Sequence, residues 1–283
     1  MGEVIKAIEL PGMLFETKDE MFLALKEHSK QIIANKRVNK TKSAPFKAVA
    51  PNVENKETIK ALPEMSQGFI YPIINTTMIM DSHNDVHANG IWKKSLQEAG
   101  KSVVYAQNHD LSVGSIIGFS NDVEPFVKTV NWSDIGFNYK GQTEALFFKV
   151  MVSPSAPSQA KYIIENQIPI QNSVRMEYVK TRLAVKSDNP ELKEQNELYL
   201  KTIDELANKE YVEKIGYFWL QDEAKLVREG SMVIEGSNQA TPITYPTNKD
   251  IQPSQDTDKK EPSQDTQKKK DERDSSNNIY TFI

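Results

Sequence analysis

The stretch "YAQNHDLSVGSIIGF", residues 105–119, places a histidine and an aspartate between two segments that have the composition of β-strands. We predict strands at 102–106 and 113–119, joined by the loop that carries His109. Catalytic side chains often lie on such loops, because a rigid scaffold positions them, although many loop histidines have no function. The chain has only four histidines, so the rest of the sequence must decide what this one does.

Strand-like segments recur on both sides of this stretch, and a few helices lie between them. Many short strands with two or three helices are typical of a barrel. We therefore predict a mixed, mainly β fold, a closed or nearly closed β-barrel with surrounding helices. The other predicted strands are 68–80, 125–132, 144–152, 173–185, 214–220 and 224–234, and the predicted helices are 91–100, 157–166 and a charged segment that begins at Pro190.

Composition divides the chain into four parts. In the first, Thr17 and Glu20 have the spacing of a capping box, and apolar residues follow at helical intervals. This amphipathic helix either packs on its own domain or docks onto a partner. The four predicted parts are a small N-terminal unit (1–40), a lysine-rich linker interrupted by prolines (41–65), a core (66–236, with a helical insertion at about 188–212) and a tail (237–283).

The tail is a segment of low complexity in which "PSQDT" occurs at 253–257 and again at 262–266. Its charges nearly balance, and apolar residues are almost absent before the final "IYTFI". Such a segment buries too little surface to offset the entropy lost on ordering, so we predict that it is disordered. The final five residues are either an ordinary terminus or a short docking peptide.

The overall composition excludes several classes of function. The formal net charge of −4 gives no reason to expect a nucleic-acid ligand. Without cysteine, the chain can form neither disulfides nor thiolate metal sites, and it has no cysteine nucleophile. We find no apolar run of membrane-spanning length and no signal-peptide pattern at the N-terminus, and therefore expect a protein that is made in a cytoplasm.

The segment "MDSHNDVHANG", residues 80–90, is a candidate metal site because it contains Asp81, His83, Asp85 and His87. Carboxylates and imidazoles of this kind suit zinc, manganese or iron. The neighbouring asparagines and glycine also favour a turn in which aspartate side chains bind their own backbone. Both interpretations remain open from the residues alone.

Two further residues are candidates for nucleophilic catalysis. Ser173 stands at the start of a predicted strand, and Glu229 interrupts an apolar one. A serine nucleophile needs a base, and the base needs an orienting group. A buried carboxylate in turn needs a partner, for which a histidine is suitable.

Four segments in the same order and at similar spacing resemble the caudovirus prohead serine protease family, whose members mature the capsids of tailed phages and are related in fold to herpesvirus assembly proteases. The resemblance covers about residues 66–242. The four segments are "DSHNDVHANGIWKKSL", "QNHDLSVGSIIGF", "NSVRMEY" and "LVREGSMVIEGSNQA".

The resemblance implies a herpesvirus-protease-like barrel and a serine endopeptidase with His109 as base, Ser173 as nucleophile and Glu229 as third member, without metal or cofactor. This chain departs from the family in two places. Arg175 stands where many members have glycine, and it is either a bystander or a group that holds an oxyanion. The charged helical insertion also lies between the serine strand and the glutamate strand.

The same resemblance implies scaffold protein and major capsid protein as substrates, with possible self-cleavage and possible homo-oligomers, and no nucleic-acid or membrane partner. The expected location is the interior of a procapsid, in the cytoplasm of a bacterial host. Two alternatives stay open. One is a non-enzymatic capsid-assembly or scaffold module with the same fold, and the other is a metal-dependent hydrolase that uses the 81–87 cluster.

Overall fold

The computed structural model describes residues 4–38, 65–98 and 102–246. The predicted linker, except for its last residue, lies outside these ranges. So do residues 247–283, which contain both "PSQDT" copies and the C-terminal "IYTFI". No helix in the described ranges is long and apolar enough to cross a bilayer.

Six α-helices lie in the described ranges, and the first begins with the predicted capping box. Thr17 Oγ1 accepts a hydrogen bond from the Glu20 backbone N–H (3.2 Å), and the Glu20 carboxylate accepts one from the Thr17 N–H (3.3 Å). The helices are α1 (Lys18–Glu27), α2 (Ser29–Val38), α3 (Lys93–Glu98), α4 (Ser158–Glu165), α5 (Lys193–Thr202) and α6 (Lys209–Ile215). The last two occupy the predicted helical insertion.

The described ranges also contain nine strands. The two longest, β7 and β8, pair with each other in antiparallel orientation along most of their length. The predicted strands 214–220 and 224–234 are parts of the single strand β8. The strands are β1 (Tyr71–Thr76), β2 (Asp85–His87), β3 (Val104–Gln107), β4 (Ile116–Gly118), β5 (Val123–Asn131), β6 (Gln142–Val150), β7 (Gln171–Val185), β8 (Tyr217–Val233) and β9 (Ile243–Thr244).

The strands form two sheets that share one apolar interior. The first has the order β5-β6-β1-β9. In the second, β8 is central, with β7 on one side and β2 and β3 on the other, both parallel to β8, and β4 pairs with β3 as an edge strand. Strand β3 pairs with residues 229–232 of β8, which brings the end of β3 beside the end of β8. This pairing positions the candidate site.

The prediction of a closed or nearly closed barrel is wrong: the fold is mixed α/β, with two sheets. Closure would need a ladder between β4 and the first sheet, and another between β7 and β9. In the described ranges these edges share only isolated backbone bonds, such as Ser153 N–H to the Ile117 carbonyl (2.8 Å) and Asn172 N–H to the Thr241 carbonyl (3.0 Å). The edge strands are too short to extend these bonds into ladders, since β4 has three residues and β9 has two.

The N-terminal residues, predicted as a small unit, pack directly on the second sheet. Phe22 and Leu25 of α1 are fully buried. They share an apolar cluster with Val185, Tyr217 and Trp219 of the two long strands. Helices α1 and α2 therefore cover one end of the β7–β8 pair.

The first residues of the predicted tail are part of the fold. Asn238 and Thr241 are buried, and Ile243 pairs with β1. The Asn238 amide donates to the Thr76 carbonyl at 2.8 Å. The ordered core thus continues past residue 236, the predicted boundary, to at least residue 246.

Candidate active site

His109 lies in a tight turn at the end of β3. Asn108 and His109 both have left-handed backbone conformations, with φ of 55° and 58°. The Asp110 N–H donates to the Gln107 carbonyl at 3.0 Å. Two consecutive left-handed residues that close such a bond form a type I′ turn, which asparagine and histidine tolerate better than most residues. Backbone strain of this kind is concentrated at functional sites.

The turn directs the imidazole of His109 onto Glu229 of β8. The His109 Nδ1 atom lies 2.7 Å from Glu229 Oε1. A carboxylate can only accept, so Nδ1 carries the hydrogen and Nε2 is left as the atom that can take a proton. The histidine side chain is 26% exposed, whereas the glutamate side chain is 0% exposed. The acceptor nitrogen thus belongs to a side chain that solvent can reach.

Ser231 supports both members of this pair. Its hydroxyl donates to Glu229 Oε2 at 2.5 Å and accepts from the backbone N–H of His109 at 3.1 Å. Residues 229 and 231 are two apart in a strand, and therefore project from the same face of the sheet. Sequence reasoning did not assign Ser231 a role, although this spacing on a strand was a usable signal.

Arg175 of β7 also contacts both Glu229 and His109. Its Nε lies 3.3 Å from Glu229 Oε1, and its Nη2 donates to the His109 carbonyl at 3.1 Å. The sequence could not decide whether this arginine was a bystander, because the direction of its side chain depends on the local pairing of β7 with β8.

Ser173 lies beside this group without a bond to the imidazole. It is half-buried on β7, in register with Ser231 on β8. Side chains of directly opposed residues project from one face, with Cβ atoms about 5 Å apart. Within the described ranges, the hydrogen bonds of His109 run to Glu229, Ser231 and Arg175, and none runs to Ser173. The structure therefore joins His109 to Glu229 and places Ser173 next to them.

Asp110, although adjacent to the histidine, organises the following loop instead. Its carboxylate accepts from the Ser112 backbone N–H and hydroxyl, both at 2.8 Å, and from the Ser115 hydroxyl at 2.6 Å. These hydrogen bonds lower the pKa of Asp110 below its ordinary value. Asp110 is thus committed to the turn that leads into β4.

The candidate metal ligands at 81–87 are engaged with the protein itself. Asp81 Oδ1 accepts from the backbone N–H groups of His83 (2.8 Å) and Asp85 (2.9 Å), which is the turn geometry that the sequence left open. Imidazole Nε2 of His87 lies 3.0 Å from the Tyr178 hydroxyl. No cluster of three or more histidine, aspartate and glutamate side chains in the described ranges is suited to a metal ion.

A buried network extends from this turn into the N-terminal helices. Asp85 accepts hydrogen bonds from Lys36 (2.8 Å), Tyr178 (2.9 Å) and Gln221 (3.0 Å). Burial alone would raise the pKa of Asp85, but the charge and hydrogen bond of Lys36 lower it below the ordinary value. These hydrogen bonds join the 81–87 turn to α2 and to the two long strands.

Comparison of the chain with protein-family models, with curated proteins and with solved structures found no match. The function must therefore be argued from the geometry of His109, Glu229, Ser231, Arg175 and Ser173.

Proposed function

We propose that this protein is a serine endopeptidase of the prohead type, in which Ser173 attacks the peptide carbonyl and His109 is the general base. The observation that carries the proposal is the 2.7 Å bond between His109 Nδ1 and the buried Glu229 carboxylate. This bond fixes the tautomer that a base needs and provides a countercharge for the imidazolium that forms during catalysis.

The proposed reaction follows from this tautomer. His109 Nε2 takes the proton of the Ser173 hydroxyl as the serine oxygen bonds to the carbonyl carbon. The same proton then passes to the leaving amine, and the acyl-enzyme is hydrolysed by water through the reverse sequence. The hydroxyl and the imidazole reach hydrogen-bond distance when substrate is bound, since such bonds are often long in a free enzyme.

The proposed substrates are scaffold protein and major capsid protein inside a precursor shell, with cleavage of the chain itself as a further possibility. Such substrates are supported by the order of the four sequence segments that resemble prohead proteases. Confinement inside a shell would let a slow enzyme act at a high effective concentration of substrate.

The direct test is covalent labelling of the full chain with an alkyl fluorophosphonate, followed by peptide mass analysis and by intact-mass analysis after incubation without the probe. We expect one phosphonyl group on Ser173 and none in Ser173→Ala, which should fold normally because a half-buried hydroxyl contributes little to stability. Ser133→Ala, at an exposed position outside the site, is the control and should be labelled on Ser173 like the wild type. Label on another residue, or unchanged labelling in Ser173→Ala, would remove the serine protease from consideration.

The second candidate is a non-enzymatic capsid-assembly module, and the absence of a Ser173–His109 hydrogen bond favours it. A capsid-assembly module does not need a serine hydroxyl within hydrogen-bond distance of an imidazole. It would give no phosphonyl adduct and no change of mass on incubation. It would still assemble with capsid subunits when the two are expressed together.

A further inference from the structure

We infer that Arg175 is a positioning residue that holds the Glu229 carboxylate and the His109 turn in their working arrangement. The inference rests on the proposed function for its catalytic meaning, but its geometry stands by itself. One guanidinium binds the side chain of the third member (3.3 Å) and the backbone carbonyl of the base (3.1 Å).

The first argument is the charge of Glu229. Its side chain is 0% exposed, and a buried carboxylate is costly unless it is paired and hydrogen-bonded. A general base must be neutral before it accepts a proton, so His109 in that role supplies only a hydrogen bond to Oε1, while Ser231 supplies one to Oε2. Arg175 is the permanent cation in contact with this carboxylate. It therefore keeps Glu229 available as an acceptor before His109 becomes charged.

The second argument is the shape of the strands. Between the pairs Val174–Gly230 and Met176–Leu226, β7 contributes only Arg175, whereas β8 contributes residues 227–229. Within this irregularity Arg228 has a left-handed φ of 65°. Extra residues in one strand redirect neighbouring side chains and are frequent beside active sites. Here the irregularity places Glu229 opposite the single residue Arg175, so that the two side chains meet.

The third argument is the planar geometry of the Arg175 guanidinium, which lets its nitrogens bind two groups at once. Its nitrogens are held in one plane, and Nε and Nη2 bind two groups on different elements, the Glu229 carboxylate of β8 and the backbone carbonyl of the His109 turn. A lysine can replace the charge but not the fixed fork. Arg175 therefore restrains the left-handed turn as well as the carboxylate.

The test uses two measurements on the full chain. The first is the Nδ1–H proton resonance of His109 in protein labelled with ¹⁵N-histidine, where four histidines keep the spectrum simple. Glu229→Gln identifies the resonance by changing it. The second is the rate of phosphonylation by the fluorophosphonate, resolved into a maximal rate and a half-saturating concentration.

We expect Arg175→Gln to shift or broaden the His109 resonance and to lower the maximal rate about 10-fold or more, with the half-saturating concentration nearly unchanged. Arg175→Lys should recover part of the rate and keep the resonance broadened. Arg182→Gln is the matched control, because Arg182 is another arginine of β7 that pairs with a carboxylate, Asp222, outside the site. It should leave both measurements unchanged.

Three outcomes would overturn the inference. They are an unchanged resonance with a normal maximal rate in Arg175→Gln, an effect on the half-saturating concentration alone, and full recovery by lysine in both measurements. If Arg175→Gln fails to fold, the lysine variant decides. If the probe never reacts with Ser173, the proposed function fails, and the resonance still shows whether Arg175 positions His109.

Discussion

Asp81 and Asp85 lie four residues apart in one buried turn, yet their pKa values move in opposite directions. Burial and the charge of Asp85 raise the pKa of Asp81 to about 6. Asp85 is buried as well, but Lys36 donates to it at 2.8 Å and lowers its pKa. The difference lies in the partner: Asp85 contacts a cation, whereas Asp81 mainly accepts from backbone N–H groups.

This asymmetry predicts how stability changes with pH. The folded state binds the Asp81 proton more tightly than the unfolded state, so its contribution to stability is complete below about pH 4 and is lost as pH rises through 6. Asp81→Asn keeps the Oδ1 acceptor and removes the titration. The free energy of unfolding of Asp81→Asn, relative to the wild type, should therefore rise by about 2–3 kcal/mol between pH 4 and pH 7.

Denaturant unfolding of both proteins at half-unit pH steps measures this difference. Asp188→Asn, which alters an exposed carboxyl, is the matched control for replacing an aspartate by asparagine. A difference between Asp81→Asn and the wild type that does not change with pH would show that Asp81 ionises in the folded protein as it does in the unfolded chain.

For single residues, the sequence predicted the chemical types in the candidate site better than the contacts between them. His109 and Glu229 were paired through the resemblance, and the structure joins them at 2.7 Å. Ser173 was placed in the same site, but no hydrogen bond to the imidazole is formed. Arg175 could not be assigned, since a shift of register by one residue sends a strand side chain to the other face of the sheet.

At the scale of elements, β8 determines the site, because it carries Glu229 and Ser231 on either side of Gly230. A Cβ atom at residue 230 would lie 2.9 Å from atoms of Ile74 and of Phe148 in the first sheet. The strand can approach that sheet so closely only because residue 230 has no side chain. The face that bears the glutamate and the serine is thereby fixed toward the His109 turn.

We predict that Gly230→Ala destabilises the protein by about 1–3 kcal/mol, because the added methyl group overpacks the interior between the sheets. It should also slow phosphonylation of Ser173, since any displacement of β8 moves Glu229 and Ser231, which both bond to His109. Denaturant unfolding and labelling rates check the two effects. Gly114→Ala is the control, because no atom lies within 4 Å of a Cβ built there. If Gly230→Ala were as stable as the wild type, β8 could shift without cost and would not fix the site.

At the scale of the whole molecule, periodicity predicted most of the strands but not how they assemble. Alternating apolar and polar residues show which face of a strand is buried. Which strands pair with it depends on contacts between residues that are distant in sequence. The polar residues 221–223 separated two predicted strands, yet they lie within β8, where Gln221 is buried and bonded to Asp85. The barrel prediction failed for the same reason. The number of strands does not determine whether the edge strands pair with each other and close the sheet.

Besides the apolar cluster, the contact between the N-terminal helices and the sheets contains one largely buried positive charge. Lys36 of α2 inserts beside Asp85 (2.8 Å) and Glu9 (3.5 Å), and also donates to the His83 carbonyl at 2.9 Å. Burial opposes its charge, but the two carboxylates raise the pKa of Lys36 above its ordinary value. Removing one partner of such a group leaves the others buried and uncompensated, which costs far more than loss of a surface pair.

Lys36→Met keeps the length and apolar volume of the side chain and removes its charge. Its effect on stability therefore measures how far the Lys36 charge compensates the buried carboxylates. We expect the free energy of unfolding to fall by about 3–5 kcal/mol, because Asp85 and Glu9 lose their cation. Lys30→Met, at an exposed position of α2, should change it by less than about 0.5 kcal/mol.

The loss of stability in Lys36→Met should appear as one cooperative transition in tryptophan fluorescence and in circular dichroism, since Trp219 and the buried face of α1 share an apolar cluster. If instead the helical signal melted first and the tryptophan signal later at its wild-type midpoint, residues 4–38 would be a separable unit, and Lys36 would stabilise only the docking of that unit.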